Sequence, residues 1–216
     1  MTDEPGLQAE RARLVRHLRA SGAAADPRVL EAFLAAPRHE FVPGAERDAA
    51  YDDRALPIGH GQTISQPSMI AVMLEALALE PADKVLEVGS GSGYAALLLG
   101  MLCREVHGIE LLPELAERAR RTLASLGVTN VAIHTGNGYL GLPEHAPYDA
   151  ILVSAAPDHV PGALLEQLAP AGRIAIPVGD RTRQVLRVGV RDGPHAVTFR
   201  DDIPCLFVPL VHGESG

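Results

Sequence analysis

The sequence predicts an α/β protein with a mostly parallel central sheet, and two observations support this prediction. Between residues 67 and 177, short aliphatic segments typical of buried strands alternate with longer segments of helical periodicity. After residue 180 the alternation stops, and two strand-like segments follow that are separated by the turn sequence Arg-Asp-Gly-Pro-His. We therefore expect right-handed βαβ units in a parallel sheet covered by helices on both faces, with antiparallel strands at its C-terminal end.

The limits of the individual elements are indicated by Pro, Gly and charged residues. In chain order, the predicted elements are helix Pro67 to Leu79, strand Lys84 to Val88, helix Tyr94 to Cys103, strand Glu105 to Ile109, helix Pro113 to Leu126, strand Val131 to His134, strand Asp149 to Val153, helix Pro161 to Leu168, strand Arg173 to Pro177, and the antiparallel strands Gln184 to Val190 and Ala196 to Phe199. The last apolar run, Ile203 to Val211, contains two prolines, so we expect it at a sheet edge or as a closing strand.

The N-terminal part is predicted to form a helical cap. Leucines recur at helical spacing from Leu7 to Ala20, and Asp26 followed by Pro27 is typical of the start of a second helix. The residues of that helix expected to face inward are Val29, Leu30, Phe33 and Leu34. From Pro37 through Gly61, repeated Pro and Gly predict an extended loop. We expect residues 1–66 to form the cap and a loop, and residues 67–216 the core, as one compact unit.

Composition and charge argue against several classes of function. The formal net charge is −8, and Lys and Arg are not clustered, so we expect no nucleic acid partner. No apolar run approaches the roughly 20 residues of a membrane span. The first residues mix acids with arginines and lack the apolar region of a secretory signal. We expect a cytoplasmic monomer with no membrane association.

Cysteine and histidine usage predicts no metal site. Cys103 and Cys205 lie far apart among aliphatic residues, which favours free buried thiols over a disulfide or a metal centre. The nine histidines show no paired spacing that would place two of them on one helix face.

The most informative segment runs from Lys84 to Gly93, with the sequence KVLEVGSGSG. Three glycines at alternate positions after a strand and before a helix allow a sharp turn and a close approach of a ligand to the backbone. A nicotinamide site would need a third glycine in Gly-x-Gly-x-x-Gly, and that match fails at Tyr94. Glu87 would repel a pyrophosphate but attract a cation, which favours S-adenosylmethionine, with its ammonium and sulfonium groups, as the ligand.

Two further strand ends complete a predicted cofactor site. Glu110 ends the next strand, where a carboxylate can accept hydrogen bonds from both ribose hydroxyls. Asn137 and Gly138 follow the third strand and are placed to meet the adenine. Since ligands of open α/β sheets bind at the carboxyl ends of the strands, we predict a Rossmann-like fold of the S-adenosylmethionine-dependent methyltransferase type. The predicted cofactor-binding residues are Glu87, Gly89, Gly91, Gly93, Glu110, Asn137 and Gly138.

With these residues identified, the chain resembles the protein-L-isoaspartate (D-aspartate) O-methyltransferase family over nearly its whole length. The shared segments are PRHEFVP (37–43), Tyr51 with Asp53, LPIG (56–59), GQTISQP (61–67), VLEVGSGSGY (85–94), PYDAI (147–151), AAP (155–157), IPVG (176–179) and FVPL (207–210). Many methyltransferases share the glycine run, but Thr-Ile-Ser followed by Gln-Pro is typical of this family's substrate loop.

The resemblance implies an activity and a set of substrate contacts. The family transfers the methyl group of S-adenosylmethionine to the free α-carboxylate of L-isoaspartyl residues in damaged proteins and peptides, and the ester then closes to a succinimide. By the same resemblance, Ser65 is the active-site serine, and the implied substrate-binding residues are His60, Gln62, Thr63, Ile64 and Val208. The reaction needs no base, because a carboxylate with a pKa of about 4 is ionised at neutral pH.

Two departures from the family pattern and two alternatives remain. Asn137 stands where the family usually has Asp, and Cys205-Leu206 precedes Phe207 where a short hydrophobic or basic residue is frequent. An amide oxygen still accepts a hydrogen bond from adenine, but without charge. The alternatives are an enzyme that esterifies a carboxylate of a dedicated biosynthetic peptide, and a module that binds the cofactor without turnover.

Overall fold

The computed structural model describes residues 5–193 and 196–211. Its helices are α1 (Pro5–Ala20), α2 (Pro27–Ala35), α3 (Pro67–Leu77), α4 (Tyr94–Leu102), α5 (Pro113–Ser125) and α6 (Gly162–Glu166). Its strands are β1 (Leu56–Gly59), β2 (Gln62–Ile64), β3 (Lys84–Val88), β4 (Glu105–Glu110), β5 (Val131–Thr135), β6 (Tyr148–Val153), β7 (Leu168–Gly179), β8 (Gln184–Arg191) and β9 (Val197–Cys205). Short 3₁₀ helices span Arg38–Phe41, Gly44–Ala49 and Pro143–His145.

The central sheet has seven strands in the order β5-β4-β3-β6-β7-β8-β9. The pairs from β5 to β7 are parallel, whereas β8 pairs with β7 and β9 in antiparallel orientation. The predicted α/β class, with a mostly parallel sheet and antiparallel C-terminal strands, is confirmed. The chain order reverses between β3 and β6, so their carboxyl ends mark the switch point where such sheets bind ligands.

Apolar side chains cover the sheet on both faces. Val85 belongs to a cluster that includes residues of α1 to α5, while the adjacent Leu86 belongs to a second cluster that includes Leu164 of α6. Successive side chains of a strand point to opposite faces, so both faces are buried, as predicted for a parallel sheet. The first cluster extends across residue 66, which joins the N-terminal helices to the core; the division into cap and core remains a prediction.

The N-terminal helices form as the sequence predicts. The Asp26 side chain accepts a hydrogen bond from the Arg28 amide at 2.8 Å, and Pro27 is the first helical residue of α2. One inward prediction is wrong: Leu34 is 46% exposed, whereas Val29, Leu30 and Phe33 are buried. Among the described residues, no helix combines the length and hydrophobicity needed to span a membrane.

Three other predictions need correction. The segment from Pro37 to Gly61, expected as an extended loop, contains two 3₁₀ helices and pairs β1 with β2 as a hairpin. Strand β7 begins at Leu168 rather than Arg173, and its pairing with β6 has an irregularity between Tyr148 and Ala150. After Cys205 the chain leaves the sheet, so most of the run Ile203 to Val211 is not a strand. The Pro194 and His195 part of the predicted turn lies outside the described residues.

Candidate active site

The turn between β3 and α4 has the backbone geometry that its glycines predict. Gly89, Gly91 and Gly93 have φ angles of +81°, +51° and +88°, positive values that residues with a Cβ rarely adopt. The amides of Gly89 and Ser90 bond to the carbonyl oxygen of Ile109, which fixes the turn against β4. A Cβ on Gly93 would lie 3.0 Å from the Ala119 side chain, so this glycine also allows α5 to pack closely.

A cavity at the carboxyl ends of the parallel strands, called here the first cavity, collects most of the predicted binding residues. The predicted residues that line it are Gln62, Thr63, Gly89, Gly91, Glu110, Gly138 and Val208. Ser154 and Ala155 after β6 and residues 209–211 complete the wall. The cavity lies at the switch point of the sheet, where the sequence predicted a cofactor.

A second cavity lies directly beside the first. It is lined by Ser65, the predicted active-site serine, together with Ala55, Thr63, Gln66, Met69, Ser154 and residues 204–208. Three residues line both cavities: Thr63, Ser154 and Val208. Among the described residues, no side chain that lines the second cavity carries a formal charge. Because the two cavities share three lining residues, a group bound in one cavity can meet a group bound in the other.

Glu110 is held in one orientation by the backbone. Its Oε2 accepts a hydrogen bond from the Gly91 amide at 2.7 Å, and its Oε1 accepts one from the Leu112 amide at 3.0 Å. A carboxylate has about four acceptor positions, so acceptor capacity remains for ligand hydroxyls. These contacts orient Glu110 at the first cavity before any ligand arrives.

Glu87 lies one layer behind the cavity wall. It is 1% exposed, and burial raises its pKa to about 7, with a further contribution from the charge of Glu110. Its Oε1 accepts a hydrogen bond from the Ser154 hydroxyl at 3.5 Å, while Oε2 has no hydrogen-bond partner among the described residues. Ser154 lines both cavities and thus connects Glu87 to them.

Several predicted residues lie outside both cavity walls. His60 is exposed in the β1–β2 turn with a φ of +54°, and Ile64 is packed in the apolar core. The Asn137 side chain accepts a hydrogen bond from the Tyr139 amide at 3.0 Å and so stabilises its own turn. Glu87 and Gly93 likewise do not line a cavity. Their predicted roles in binding remain predictions.

The segment that carries Ser65 is anchored on one side by the buried Arg38 and on the other by the partly buried Asp53. Arg38 donates a hydrogen bond to the Ser65 carbonyl oxygen at 2.9 Å. Asp53 accepts one from the Gln66 side chain at 3.0 Å and one from the Ser68 amide at 2.8 Å. Arg118 of α5 donates to the Ile58 carbonyl oxygen at 2.8 Å and thereby fixes the hairpin.

The C-terminal segment closes both cavities through backbone contacts. Ala156 and residues 208 to 210 exchange two hydrogen bonds of 2.8 Å, and the Gln184 side chain pairs with both backbone groups of Phe207. Sequence reasoning took only Val208 from this segment and missed Ser154, Arg38 and Asp53 as site residues. The available signals were AAP (155–157) beside Ser154, PRHEFVP (37–43) with Arg38, and the shared pair Tyr51 with Asp53.

Comparison with known proteins agrees with this geometry. The family model for protein-L-isoaspartate(D-aspartate) O-methyltransferase (PCMT) matches residues 9–215. The chain is 54% identical over 192 residues to the protein-L-isoaspartate O-methyltransferase of Roseiflexus sp. (strain RS-1), covering 88% of this chain and 87% of that protein.

Two solved structures have the same fold. One, named protein-L-isoaspartate O-methyltransferase, has a TM-score of 0.86 and 29% identity; the match covers 94% of this chain and 66% of that one. The other is a beta-aspartate methyltransferase (PCMT) from Plasmodium falciparum in complex with S-adenosyl-L-homocysteine, with a TM-score of 0.82, 26% identity, and coverage of 92% of this chain and 97% of that one. With the family model matched over almost the whole sequence, the chain belongs to the protein-L-isoaspartate(D-aspartate) O-methyltransferase family.

Proposed function

We propose that this protein transfers the methyl group of S-adenosylmethionine to the free α-carboxylate of L-isoaspartyl residues in damaged proteins and peptides, which initiates repair through a succinimide. One observation carries the proposal. The cavity at the glycine turn and the cavity beside Ser65 are neighbours that share Thr63, Ser154 and Val208. A methyl donor and a carboxylate acceptor can therefore approach each other directly within a member of this family.

The first cavity suits S-adenosylmethionine, which supplies an electrophilic methyl group on a sulfonium. Gly89 and Gly91 would allow its amino-acid end to lie against the backbone, and Glu110 would accept hydrogen bonds from the ribose hydroxyls. Oε2 of Glu87, which has no hydrogen-bond partner among the described residues, is a buried acceptor that an ammonium group could satisfy. Gly138 allows the far wall to pack closely, since a Cβ there would meet Val88 at 2.6 Å and Leu210 at 3.1 Å.

The second cavity positions the acceptor without activating it. The substrate carboxylate is ionised at neutral pH and needs no base. The required contribution is to hold one oxygen about 3 Å from the methyl carbon and in line with the sulfur. Ser65 can donate a hydrogen bond to the other oxygen. Because the lining side chains of the second cavity have no formal charge, they orient the anion without the strong ion pair that would reduce its nucleophilicity.

We further propose that the protein acts as a cytoplasmic monomer on isoaspartyl proteins, with no nucleic acid or membrane partner. Both cysteines are free, and burial raises the pKa of the Cys103 thiol to about 12 and that of Cys205 to about 11. Free cysteines are usual in a reducing compartment, where disulfides are rare.

A pair of synthetic peptides that differ only in an L-isoaspartyl or L-aspartyl linkage tests the proposal. We expect methyl transfer from labelled S-adenosylmethionine to the isoaspartyl peptide alone. Equal labelling of both peptides, or labelling of neither, would contradict it. Ser65→Ala should lower kcat by at least tenfold with an unchanged dissociation constant for S-adenosylmethionine. Ser125→Ala, which removes an exposed hydroxyl on α5 bonded to the Thr122 carbonyl oxygen, is the matched control and should retain full activity.

A further inference from the structure

Three histidines that are distant in sequence meet on one face of the sheet, outside the cavities described above. His107 lies on β4, His134 on β5, and His145 ends the 3₁₀ helix before β6. Each offers one ring nitrogen, and the three nitrogens lie within 4.8 Å of one another. Nδ1 of His107 and Nε2 of His134 are 3.1 Å apart.

The register of the parallel strands produces this cluster. His107 is paired with Ala132, so His134 is two residues further along the neighbouring strand and points to the same face. The sequence predicted no metal because no two histidines have the spacing that places them on one face of a helix. That criterion does not detect ligands contributed by adjacent strands. His107 is buried, whereas His134 and His145 are partly exposed, which leaves an approach from solvent.

A carboxylate already orients the buried histidine. Nε2 of His107 lies 3.0 Å from Oε1 of Glu105. When Nε2 carries the proton and donates a hydrogen bond to Glu105, the lone pair of Nδ1 faces Nε2 of His134. Metal-ligating histidines characteristically donate their second ring N–H to a carboxylate or carbonyl in this way. The arrangement thus contains three potential ligands and a carboxylate that orients one of them.

We propose that His107, His134 and His145 bind a divalent transition-metal ion, with Zn²⁺ as the preferred ion and water as its fourth ligand. Three imidazoles and an open position form a known coordination pattern of Zn²⁺. With Zn–N bonds of about 2.0–2.1 Å, tetrahedral geometry places the nitrogens about 3.4 Å apart, close to the His107–His134 separation. Nitrogen ligands of this kind suit Zn²⁺, Ni²⁺ and Cu²⁺ rather than Mg²⁺ or Ca²⁺.

Metal binding requires one rearrangement. The rings of His107 and His145 are stacked, with centroids 4.1 Å apart and planes inclined by 22°. His145 must tilt out of this stack to direct its lone pair at the ion, and its partial exposure at the end of a short helix permits that movement. In exchange, the ion replaces the contact between His107 Nδ1 and His134 Nε2.

Some charged groups near the three histidines attract a cation, and others repel it. Burial lowers the pKa of His107 and of His134, so both rings are neutral ligands at pH 7. Glu105 beside His107 and Glu144 near His134 attract a cation. Lys84 opposes it, since its ammonium is held by the His145 carbonyl oxygen at 2.6 Å. Arg120 near His134 opposes a cation as well, so the two carboxylates and the two cationic groups balance, and the three ring nitrogens must supply the affinity for the ion.

Calorimetric titration of the tag-free, chelator-treated protein with Zn²⁺ tests the site. We expect one Zn²⁺ per chain, and at least tenfold weaker binding in His145→Ala.

His145→Cys should restore binding, because thiolate is also a Zn²⁺ ligand. Glu105→Gln should weaken binding by roughly 10-fold, because the charged acceptor that orients the His107 ring is lost. His159→Ala, at an exposed histidine on another surface, is the control and should bind like the unmodified protein.

A spectroscopic measurement keeps the test independent of folding effects. Co²⁺ in place of Zn²⁺ should give the intense visible bands of a tetrahedral site, and these should disappear in His134→Ala while its far-ultraviolet circular dichroism is unchanged. The proposal is wrong if the unmodified protein binds no Zn²⁺, if His145→Ala binds it with unchanged affinity, or if the Co²⁺ spectrum is that of the hydrated ion. None of these readouts depends on methyl transfer.

Discussion

Arg38 donates a hydrogen bond from Nη2 to the main-chain carbonyl oxygen of Ser65 across 2.9 Å, so a fully buried cation supports the backbone of the predicted active-site serine. Its Nε donates to the Ala50 carbonyl oxygen at 2.8 Å, and its Cζ lies 4.9 Å from the centre of the Tyr94 ring. Burial lowers the pKa of Arg38 to about 10, which still leaves the guanidinium charged at neutral pH. Carbonyl dipoles and an aromatic face compensate this charge.

Arg38→Lys should impair turnover more than cofactor binding. A lysine keeps the charge but cannot reach both carbonyl oxygens from one planar group, so the Ser65 backbone loses its fixed position. We expect kcat to fall by roughly tenfold, consistent with the loss of one charged hydrogen bond worth about 1.5–3 kcal/mol. Steady-state kinetics and S-adenosylmethionine titration measure the two effects. An unchanged kcat would show that Arg38 serves stability alone.

Asp53 anchors the other side of the same segment, and its contribution should depend on pH. Burial tends to raise its pKa, but hydrogen bonds from the Ser68 amide and from the Gln66 and His17 side chains outweigh burial and lower it. A carboxyl with a lowered pKa stabilises the folded state above its unfolded pKa of about 3.8–3.9, and this stability is lost as pH falls through the folded pKa.

Asp53→Asn should therefore lower the free energy of unfolding at pH 7 by roughly 1–3 kcal/mol, the cost of weakened hydrogen bonds to a charged acceptor. Urea denaturation at pH 7 and pH 3 gives the comparison: the difference between variant and unmodified protein should shrink at pH 3. Asp158→Asn, at an exposed acid, is the control. A difference that is equal at both pH values would contradict the role of the charge.

The sequence predicted the sheet better than its surroundings because strand and helix periods are local, whereas loop structure depends on tertiary contacts. Strand β3 has its predicted ends, since the aliphatic residues Val85, Leu86 and Val88 form a short run that begins after a charged lysine and ends at a glycine. The hairpin β1–β2 was missed, because its Pro and Gly are typical of loops and its pairing is stabilised from outside by Arg118. In the same way, the proximity of His107 and His134 depends on strand register, which no local pattern shows.

The residues of the candidate site were likewise predictable from the sequence only in part. Gly89, Gly91 and Glu110 were recognisable because the ends of successive parallel strands must meet at one edge of the sheet. Ser154 was missed, because a lone serine after a strand has no distinguishing spacing. Asn137 was expected to meet a ligand, but its short side chain bonds to the Tyr139 amide two residues on, as Asn often does in turns.

Glu110→Ala should weaken S-adenosylmethionine binding and also destabilise the glycine turn. The substitution removes the acceptor of the Gly91 and Leu112 amides, and a buried donor without a partner costs about 1–3 kcal/mol. We expect at least a tenfold higher dissociation constant and a lower unfolding midpoint. Glu117→Ala, at an exposed acid on the adjacent helix, should change neither. An unchanged dissociation constant would exclude the ribose contact.

The buried carboxyl of Glu87 makes both stability and cofactor affinity depend on pH. Its pKa is raised to about 7 by burial, so the folded protein binds a proton that the unfolded chain releases near its unperturbed pKa of 4.5. The free energy of unfolding should therefore decrease as pH rises from 4.5 to about 7, by an amount on the order of 3 kcal/mol. Glu87→Gln should remove this decrease.

Binding of a cationic ligand has the opposite dependence. An ammonium or sulfonium near Glu87 favours the ionised carboxylate, so the affinity for S-adenosylmethionine should increase from pH 5.5 to 7.5, a range that largely avoids titration of the ligand's own amino group. Adenosine, which lacks both cationic groups, is the ligand control and should bind with little pH dependence. Calorimetric titrations of the unmodified protein and Glu87→Gln compare the slopes. If the two proteins show the same slope for S-adenosylmethionine, Glu87 does not contact the cationic end of the cofactor, and its burial beside Ser154 serves the fold alone.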